Sequence, residues 1–334
     1  MLGLPIEGNS RKLCQQYVAD VVLPVKTTNY HRHGWTLWQY SDDTQQSREM
    51  YLTVLQGRGR MDAQVYALRT ALLFQPGAYR VMGYGKTSAT AMQAIWAGAH
   101  YTEAGVKSGN GNGSAMRSAC LGVLLSGKSK AELVQTARVM SSITHASLGP
   151  MDAAAAVALA ARYASVTRNL PLHPEHFIEY IASGVAAGNP KSKLPAFLHE
   201  LLLLRHQPLE EAAARITEIG IKDNKERTWR DAQPGVNCIF VGAWQTTLWA
   251  LWCFLTSTDS YVGCIAAAIA AGGDVDTTAA IAGGISGARA GAAGVPELWK
   301  SCLHDLQEWS YPQLLEMGRK VFALVDGGKV EVAL

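Results

Sequence analysis

The sequence lacks the cysteine and histidine clusters that zinc proteins use. Its six cysteines stand at positions 14, 120, 238, 253, 264 and 302, and no two of them form a CxxC spacing. In a chain of this length, scattered cysteines are typical of reduced, mostly buried thiols in a cytosolic protein. We therefore predict a cytoplasmic protein that is held together by its hydrophobic core.

Charge and long apolar runs are also scarce. Charged residues make up 17% of the chain, the net charge is +3, and lysine and arginine form no run. The chain is therefore not expected to bind nucleic acid, although its mild positive charge suits a small anionic ligand. The most apolar stretch, 239–255, is shorter than a bilayer span, and the first residues do not read as a signal peptide. We expect a soluble protein without a membrane partner.

Strand signals are equally sparse. Regular alternation is confined to Lys329–Val332, and no GxGxxG or P-loop motif follows a strand, so a nucleotide-binding α/β fold is not supported. Alanine- and leucine-rich segments separated by Gly, Pro, Asn and Asp instead predict an all-α protein, a compact multi-helix bundle. The predicted helices span 10–22, 43–56, 61–73, 86–104, 114–126, 129–141, 150–166, 173–186, 194–204, 208–219, 239–256, 260–271, 277–291 and 306–324.

Two acidic pairs stand far apart in the chain. Asp42 and Asp43 lie where an aromatic-rich segment gives way to a predicted helix, so helix capping alone would explain them. Asp274 and Asp276 interrupt a run made of Ala, Ile and Gly, where buried carboxylates are costly unless they are paired or bound to a metal. The pairs lie on either side of the polar segment 222–237. If they serve one site, residues 1–334 form a single domain.

The second pair has the features of a hard-cation site. Gly272 and Gly273 permit a turn in which Asp274 and Asp276 converge, and the threonines that follow add hydroxyl oxygens. Carboxylate and hydroxyl ligands suit Mg²⁺ or Mn²⁺ and argue against zinc, and four carboxylates can hold two ions.

Residues 274–278 also match DxDxT, the signature of haloacid-dehalogenase-type phosphatases. That chemistry needs the first aspartate at the end of a strand, usually near the start of the domain. Here an Ala/Gly-rich segment precedes the motif, which stands near the end of the chain. We therefore prefer the metal site.

Taken together, the motifs resemble those of the ADP-ribosylglycohydrolase family, which includes the dinitrogenase-reductase-activating glycohydrolases. Residues 41–44 are similar to the family's [T/S]DDT motif, and 272–283 to its GGDxDT motif with the AAIAG that follows. Residues 111–117, GNGSAMR, look like its GNGxxMR loop, and Thr144-His145 like its TH motif. The order and spacing fit over nearly the whole chain.

The resemblance is weaker at three places. The family usually opens with a helix that ends in GDxxGxxxE, whereas Gly3 and Glu7 match only the GxxxE part. Ser41 stands where threonine is commoner, which retains the hydroxyl. Cys120 replaces a frequent proline after the GNG loop.

The resemblance implies an all-α fold around a central two-metal site. Its two Mg²⁺ ions, or Mn²⁺, would clamp the distal ribose of ADP-ribose and activate a water that attacks the anomeric carbon. The implied proton acceptor is Asp43, Asp276 or Glu7, and the residues leave that choice open. The implied metal ligands are Ser41, Asp42, Asp43, Asp274, Asp276 and Thr277.

The loop 108–114 is the implied diphosphate site. Its glycines let backbone N–H groups approach a phosphate, and the helix predicted to follow would favour an anion at its N-terminus. His145 alone would more often be a packed or surface histidine, but within the TH motif it is implied to contact substrate. Trp35, Trp38 and Tyr40 are expected to belong to the core. The implied substrate-binding residues are Gly109, Asn110, Gly111, Asn112, Gly113, Ser114, Met116 and His145.

The function that the resemblance implies is Mg²⁺-dependent removal of ADP-ribose from a protein side chain. Arginine is the commonest target in the family's bacterial branch, and serine, threonine, a nucleic-acid base or free ADP-ribose derivatives are alternatives. The family also contains crystallin-like members, and a toxin-binding immunity protein is a further possibility. Four retained acidic residues argue against a purely structural role. The expected partners are an ADP-ribosylated protein and ADP-ribose, and we expect a monomer.

Overall fold

The structure, a computed structural model, describes residues 1–30, 32–74, 83–226, 238–306 and 308–325. Within these ranges the chain forms sixteen α-helices, and its only β-structure is a few isolated bridges. The predicted all-α class is therefore confirmed. The predicted strand at 329–332 and most of the polar segment 222–237 lie outside the described residues. Of the helices described, none has the length and hydropathy needed to cross a membrane.

The helices follow one another with short connections. In chain order they are α1 Arg11–Tyr17, α2 Asp42–Gln56, α3 Ala63–Leu72, α4 Lys86–Trp96, α5 Tyr101–Ala104, α6 Ala119–Leu124, α7 Lys130–Ser142, α8 Leu148–Val166, α9 Pro174–Gly188, α10 Leu194–Leu204, α11 Leu209–Asp223, α12 Ala243–Thr256, α13 Tyr261–Ala270, α14 Val275–Ala290, α15 Glu297–Cys302 and α16 Tyr311–Val325. Two 3₁₀ turns, at Leu4–Ile6 and Ala292–Gly294, and a π-helical turn at Val18–Val22 complete the described secondary structure.

Helix α8 forms the centre of the bundle. It is apolar around almost its whole circumference and packs against α6, α7, α9, α12 and α14. Alanines on α8 allow its neighbours to approach closely. At Gly122 of α6, an added Cβ atom would lie 2.2 Å from the carbonyl oxygen of Ala158, so the two backbones are in direct contact. This contact fixes the segment that precedes α6, which carries the GNG motif.

Several predicted boundaries were wrong. The predicted helix 86–104 is divided into α4 and α5, because Gly98 adopts a φ of 101° and ends the first helix. The helix predicted at 114–126 is only α6, which begins at Ala119 after a series of turns. The helix predicted at 239–256 begins at Ala243. The short helix α15 was not predicted, because six residues carry too little periodicity to be recognised.

The four residues before α12 are extended because they bridge two other segments. The carbonyl of Ile239 accepts a hydrogen bond from the Asp274 N–H at 2.8 Å, beside the second acidic motif. Val241 accepts from the Asn112 N–H at 2.9 Å, within the GNG loop. The segment 239–242 therefore lies between the loop and the acidic motif and holds them side by side.

Candidate metal centre and substrate site

The two acidic pairs meet at the contact between α2 and α14. Asp42 and Asp43 occupy the first turn of α2, while Asp274 directly precedes α14 and Asp276 lies in its first turn. Asp42, Asp43 and Asp274 are 5% or less exposed. Carboxylate oxygens of Asp274, Asp276 and Glu7 all lie within 4.8 Å of one another. The structure thus brings together residues that stand more than 200 positions apart in the sequence.

The glycine turn before Asp274 explains how its carboxylate reaches the site. Gly272 and Gly273 have φ values of 73° and 90°, a left-handed conformation that favours glycine. A Cβ atom on Gly273 would lie 2.1 Å from the carbonyl oxygen of Ile239. The Gly8 N–H donates to the carbonyl of Gly273 at 2.8 Å, which docks the segment carrying Glu7 onto the same turn. Glu7 also pairs with Arg32.

Burial and mutual repulsion raise the pKa values of three of these carboxyl groups. Burial raises the pKa of Asp42 and of Asp274 well above the usual value, and neighbouring aspartates raise both further. Burial and then Asp276 raise the pKa of Asp43 to about 7, although the Ser41 hydroxyl donates to its Oδ2 at 2.6 Å. One carboxylate oxygen each of Asp43 and Asp276 is buried without a hydrogen-bond donor.

The donor set fits hard divalent cations. Carboxylates dominate it, the Ser41 hydroxyl bonds to one of them, the buried Thr277 follows Asp276 in the chain, and the orphaned oxygens of Asp43 and Asp276 are available as ligands. Buried carboxylates without donors are unfavourable unless a cation compensates them. The residues present therefore satisfy the chemical requirement that the sequence predicted for Mg²⁺ or Mn²⁺.

The raised pKa values predict a pH-dependent stabilisation by Mg²⁺. The folded chain retains protons on Asp43 up to about pH 7, whereas the unfolded carboxyl ionises near its ordinary value of 3.8. Between these values the folded state binds more protons, so the free energy of unfolding of the metal-free protein falls as the pH rises through this window. Within this pH window Mg²⁺ competes with the protons for the carboxylates. Above the window, where the carboxylates are ionised, Mg²⁺ relieves their mutual repulsion.

We therefore expect the increase in Tm on adding Mg²⁺ in place of EDTA to be larger at pH 8 than at pH 5. Thermal unfolding followed by circular dichroism measures both. An equal increase at the two pH values would contradict the assignment of these carboxylates as a cation site.

Arg117 is the buried hub of the site, although the sequence singled it out only as the last residue of the GNGxxMR motif. It is 1% exposed. One guanidinium nitrogen donates to Gln46 Oε1 at 2.5 Å and to the Gly113 carbonyl at 2.9 Å, and the other donates to Thr144 Oγ1 at 2.8 Å and to the carbonyl of Met140. No carboxylate pairs with it in the described part of the chain.

Arg117 links the first acidic pair to His145. Gln46, which accepts from Arg117, also donates to Asp42 Oδ2 at 3.3 Å. Thr144, on the other side of Arg117, lies 2.8 Å from Nδ1 of His145. Every member of this chain of hydrogen bonds is buried, so each bond is stronger than it would be in water.

His145 is neutral at physiological pH. Burial, and then the nearby charge of Arg117, lower its pKa to about 3. A bridge to Val106 fixes its backbone, and Gly113 leaves room for its ring, because an added Cβ there would lie 2.8 Å from the ring carbon Cε1. The imidazole can therefore take part in substrate binding as a hydrogen-bonding group and not as a cation.

Hydrogen bonds to the rest of the protein hold several residues of the GNG loop. The Asn112 amide donates to Asp274 Oδ2 at 2.6 Å and to Thr246 Oγ1 at 3.1 Å, so this side chain orients a predicted metal ligand. The Ser114 hydroxyl donates to the carbonyl of Pro150 and accepts from Ser141, both inside the core. The Gly109 carbonyl accepts from the Ser147 hydroxyl. These contacts preorganise the loop backbone.

The predicted position of the helix after this loop was wrong, whereas phosphate binding by the loop stays a prediction. Turns occupy residues 113–118, and α6, which begins only at Ala119, has six residues. Any anion at this loop would have to be bound by its backbone N–H groups without the dipole of a helix of useful length.

The aromatic residues near Asp42 differ in burial. Tyr40 is fully buried and accepts a hydrogen bond from Arg48, as expected for the core. Trp35 is only half-buried. A Cβ atom on Gly83 would lie 3.3 Å from the Trp35 ring and 2.9 Å from Asp42 Oδ1. Gly83, with a φ of 83°, therefore adjoins the acidic pair, and the sequence reasoning had not identified it.

A cavity of about 620 Å³ reaches the acidic centre between α6 and α14. Ser41, Asp43 and Asp276 line its inner end. Of the predicted substrate-binding residues, Met116 alone contributes to its wall, and the loop 109–114 and His145 do not line it.

Several known proteins are similar to this chain. Residues 1–330 match the sequence model of the ADP-ribosylglycohydrolase family. The chain is 28% identical to the ADP-ribosylhydrolase ARH3 of Bos taurus over 214 residues, which covers 60% of this chain and 56% of that protein. ARH3 of Homo sapiens gives 28% identity over 216 residues, or 60% and 56% of the two chains. The chain thus spans little more than half the length of these curated relatives.

Two further matches cover most of the chain. An uncharacterised protein of Archaeoglobus fulgidus is 26% identical over 310 residues, which is 91% of this chain and 87% of that one. A solved structure described as an ADP-ribosylglycohydrolase-related protein complex superposes with a TM-score of 0.66, covering 98% of this chain and 93% of that chain at 19% sequence identity. At that identity the structural match shows a common fold alone.

Proposed function

The chain belongs to the ADP-ribosylglycohydrolase family, and we propose that it removes ADP-ribose from a modified protein side chain in a reaction that requires Mg²⁺. The observation that carries the proposal is the convergence of the four aspartates in a buried centre, two of them with an oxygen that lacks a donor. A purely structural protein would gain stability by replacing such a cluster with apolar residues.

The ligand set for two ions is Ser41, Asp42, Asp43, Asp274, Asp276 and Thr277. Bound Mg²⁺ would orient the ribose hydroxyls and would lower the pKa of a bound water. Asn112 fixes Asp274 and Gln46 fixes Asp42, so each acidic pair has a side chain that holds one of its carboxylates.

Asp43 is the best candidate for the proton acceptor. Its Oδ1 is buried without a hydrogen-bond donor and the residue lines the cavity that reaches the centre, which supports a role in accepting a proton from a water there. Asp43 and Asp276 each have a carboxylate oxygen without a hydrogen-bond donor. A carboxylate oxygen of Glu7, from the N-terminal segment, lies within 4.8 Å of Asp274 and Asp276. We propose Asp276 and Glu7 as the carboxylates that assist it.

ADP-ribose would bind with its diphosphate against the backbone of Gly109–Gly113 and its distal ribose at the cations. The loop is fixed by its neighbours before any ligand arrives, which lowers the entropic cost of binding. Neutral His145, beneath Gly113, would contribute a hydrogen bond without adding charge. Gly111, Ser114 and Met116 complete the proposed contact surface.

Arginine is the proposed acceptor of the modification. The ground for this choice is the resemblance described above, because arginine is the commonest target in the family's bacterial branch.

The direct test is release of ADP-ribose from arginine-modified, serine-modified and threonine-modified proteins. We expect release from the arginine conjugate with Mg²⁺ and at least roughly a hundredfold less with EDTA, since metal-bound water and oriented ribose both disappear. Release from a serine or threonine conjugate alone would show that the acceptor is that residue and not arginine. Lack of release from all three, together with tight binding of a protein toxin, would support the immunity-protein alternative.

The remaining sequence predictions concern the setting of the reaction. All six cysteines are free, and Cys14, Cys238, Cys253 and Cys264 are buried. Reduced thiols support a cytoplasmic location, which we propose. Because α2 packs against α14, we also propose that residues 1–334 form a single domain that acts as a monomer.

A further inference from the structure

A buried carboxylate lies at the start of α12, outside the acidic centre. Glu226 is 3% exposed. Its Oε1 accepts a hydrogen bond from the Trp244 N–H at 2.6 Å, and its Oε2 accepts from the Gln245 N–H at 3.1 Å. It thus occupies the N-terminus of a fourteen-residue helix, where two of the unpaired N–H groups of the first turn need acceptors.

Two glycines form the space that holds this carboxylate. A Cβ atom on Gly220 of α11 would lie 2.4 Å from Glu226 Oε2, and one on Gly242 would lie 2.2 Å from the same atom. Any larger residue at either position would displace the carboxylate. Burial raises the pKa of Glu226 to about 7 against the opposing effect of its hydrogen bonds, so the group is unfavourable to bury and is held by specific contacts.

Glu226 is connected to the GNG loop through one residue. The Asn224 side-chain amide donates to Glu226 Oε1 at 2.9 Å, and the Asn224 carbonyl accepts from the Asn110 amide at 2.5 Å. The Asn110 carbonyl in turn accepts from the Ala243 N–H at 2.8 Å, at the first residue of α12. The contacts close a ring from Glu226 through Asn224 and Asn110 back to α12.

We propose that Glu226 is a positioning residue for ADP-ribose, and that it acts by fixing Asn110 and hence the backbone conformation of the diphosphate loop. The inference rests on the proposed function. Asn110 has its side chain and its backbone carbonyl in the ring, so its neighbours Gly109 and Gly111 present their N–H groups in one orientation. Among the described residues, the hydrogen bonds of Glu226 go to Asn224 and to the first turn of α12, so its effect on ADP-ribose would be indirect.

The test is calorimetric binding of ADP-ribose to the whole chain with Mg²⁺ present. Glu226→Gln leaves one acceptor oxygen for the three donors Trp244 N–H, Gln245 N–H and the Asn224 amide, and turns an NH₂ group against one of them, so the side chain shifts and its support of Asn224 and the loop weakens. We expect the Kd for ADP-ribose to rise about tenfold and KM to rise with it, while kcat and the affinity for Mg²⁺ stay within about twofold. Glu211→Gln, on the exposed face of α11, is the matched control and should bind as the wild type does.

A double-mutant cycle separates positioning from general stability. If Glu226 acts through Asn110, the effects of Glu226→Gln and Asn110→Ala on Kd will not add, whereas independent effects would add and overturn the proposal. Should Glu226→Gln fail to fold, Asn224→Ala breaks the same ring without leaving a charge unpaired and should weaken ADP-ribose binding in the same direction. A variant that binds ADP-ribose more tightly would also overturn it, because the carboxylate would then be a competitor of the ligand. If the wild type itself does not bind ADP-ribose, the proposed function fails instead.

Discussion

Asp276→Asn is expected to lower kcat roughly a thousandfold, which corresponds to about 4 kcal/mol of lost transition-state stabilisation. Asp276 lies in the first turn of α14, where it faces Asp43 and Asp274 and has a carboxylate oxygen without a donor. Asparagine keeps the shape of the side chain but offers a weaker, neutral ligand, so the cations lose a charged contact. Release of ADP-ribose under saturating substrate and Mg²⁺ measures the change.

The same substitution should not harm the fold. It removes one negative charge from a buried, mutually repelling group, so the metal-free variant should unfold at a Tm at least equal to that of the wild type. The stabilisation by Mg²⁺ should shrink. Asp20→Asn, at an exposed aspartate that bonds only to Gln16 among the described contacts, is the control and should leave kcat unchanged. Full activity of Asp276→Asn would exclude this residue from the ligand set.

Arg117→Met is expected to lower the free energy of unfolding by about 3–5 kcal/mol. Methionine fills much of the space but leaves Gln46 Oε1, Thr144 Oγ1 and the Gly113 carbonyl without their buried donor. Turnover of the folded fraction should fall as well, because Asp42 and His145 lose their common support. Denaturant unfolding with Mg²⁺ present, followed by assay below the unfolding transition, separates the two effects.

Arg215→Met is the matched control for this prediction. Arg215 makes three guanidinium hydrogen bonds, to Glu200 and Glu218, against four for Arg117, but its side chain is 35% exposed. Water replaces those contacts, so its loss should cost no more than about 1 kcal/mol. If the two substitutions destabilise the protein equally, the burial of Arg117 has no special role.

The sequence predicted the helical class well because Ala- and Leu-rich segments are long, and several of them end at Gly or Asn. Where it failed, non-local contacts were responsible. Residues 239–242 have the apolar character of the helix that follows, yet they are drawn into bridges with Gly273 and Gly111. The start of α6 was placed too early because Ser114 resembles a cap, while its hydroxyl is in fact bonded to the core.

The acidic centre was predictable only in part for the same reason. Asp42 and Asp43 carry the local signature of a helix start, and they do occupy the first turn of α2. Only their approach to Asp274 and Asp276 distinguishes them from ordinary capping residues. The roles of Glu226 and Arg117 could not be predicted from neighbouring residues, because both depend on hydrogen bonds to groups that are distant in the sequence.

The distance in sequence between the two acidic pairs also bears on how the chain matures. On a ribosome, α2 emerges long before α14, so Asp42 and Asp43 spend the early part of synthesis in water, where their charges cost little. The electrostatic penalty of the centre is met only when α14 docks and brings Asp274 and Asp276 to Asp42 and Asp43. A cation that binds only the docked state would pull this step to completion by mass action. Cellular Mg²⁺ would then stabilise chains in which α14 has docked, and chains in which it has not docked would remain open to proteolysis.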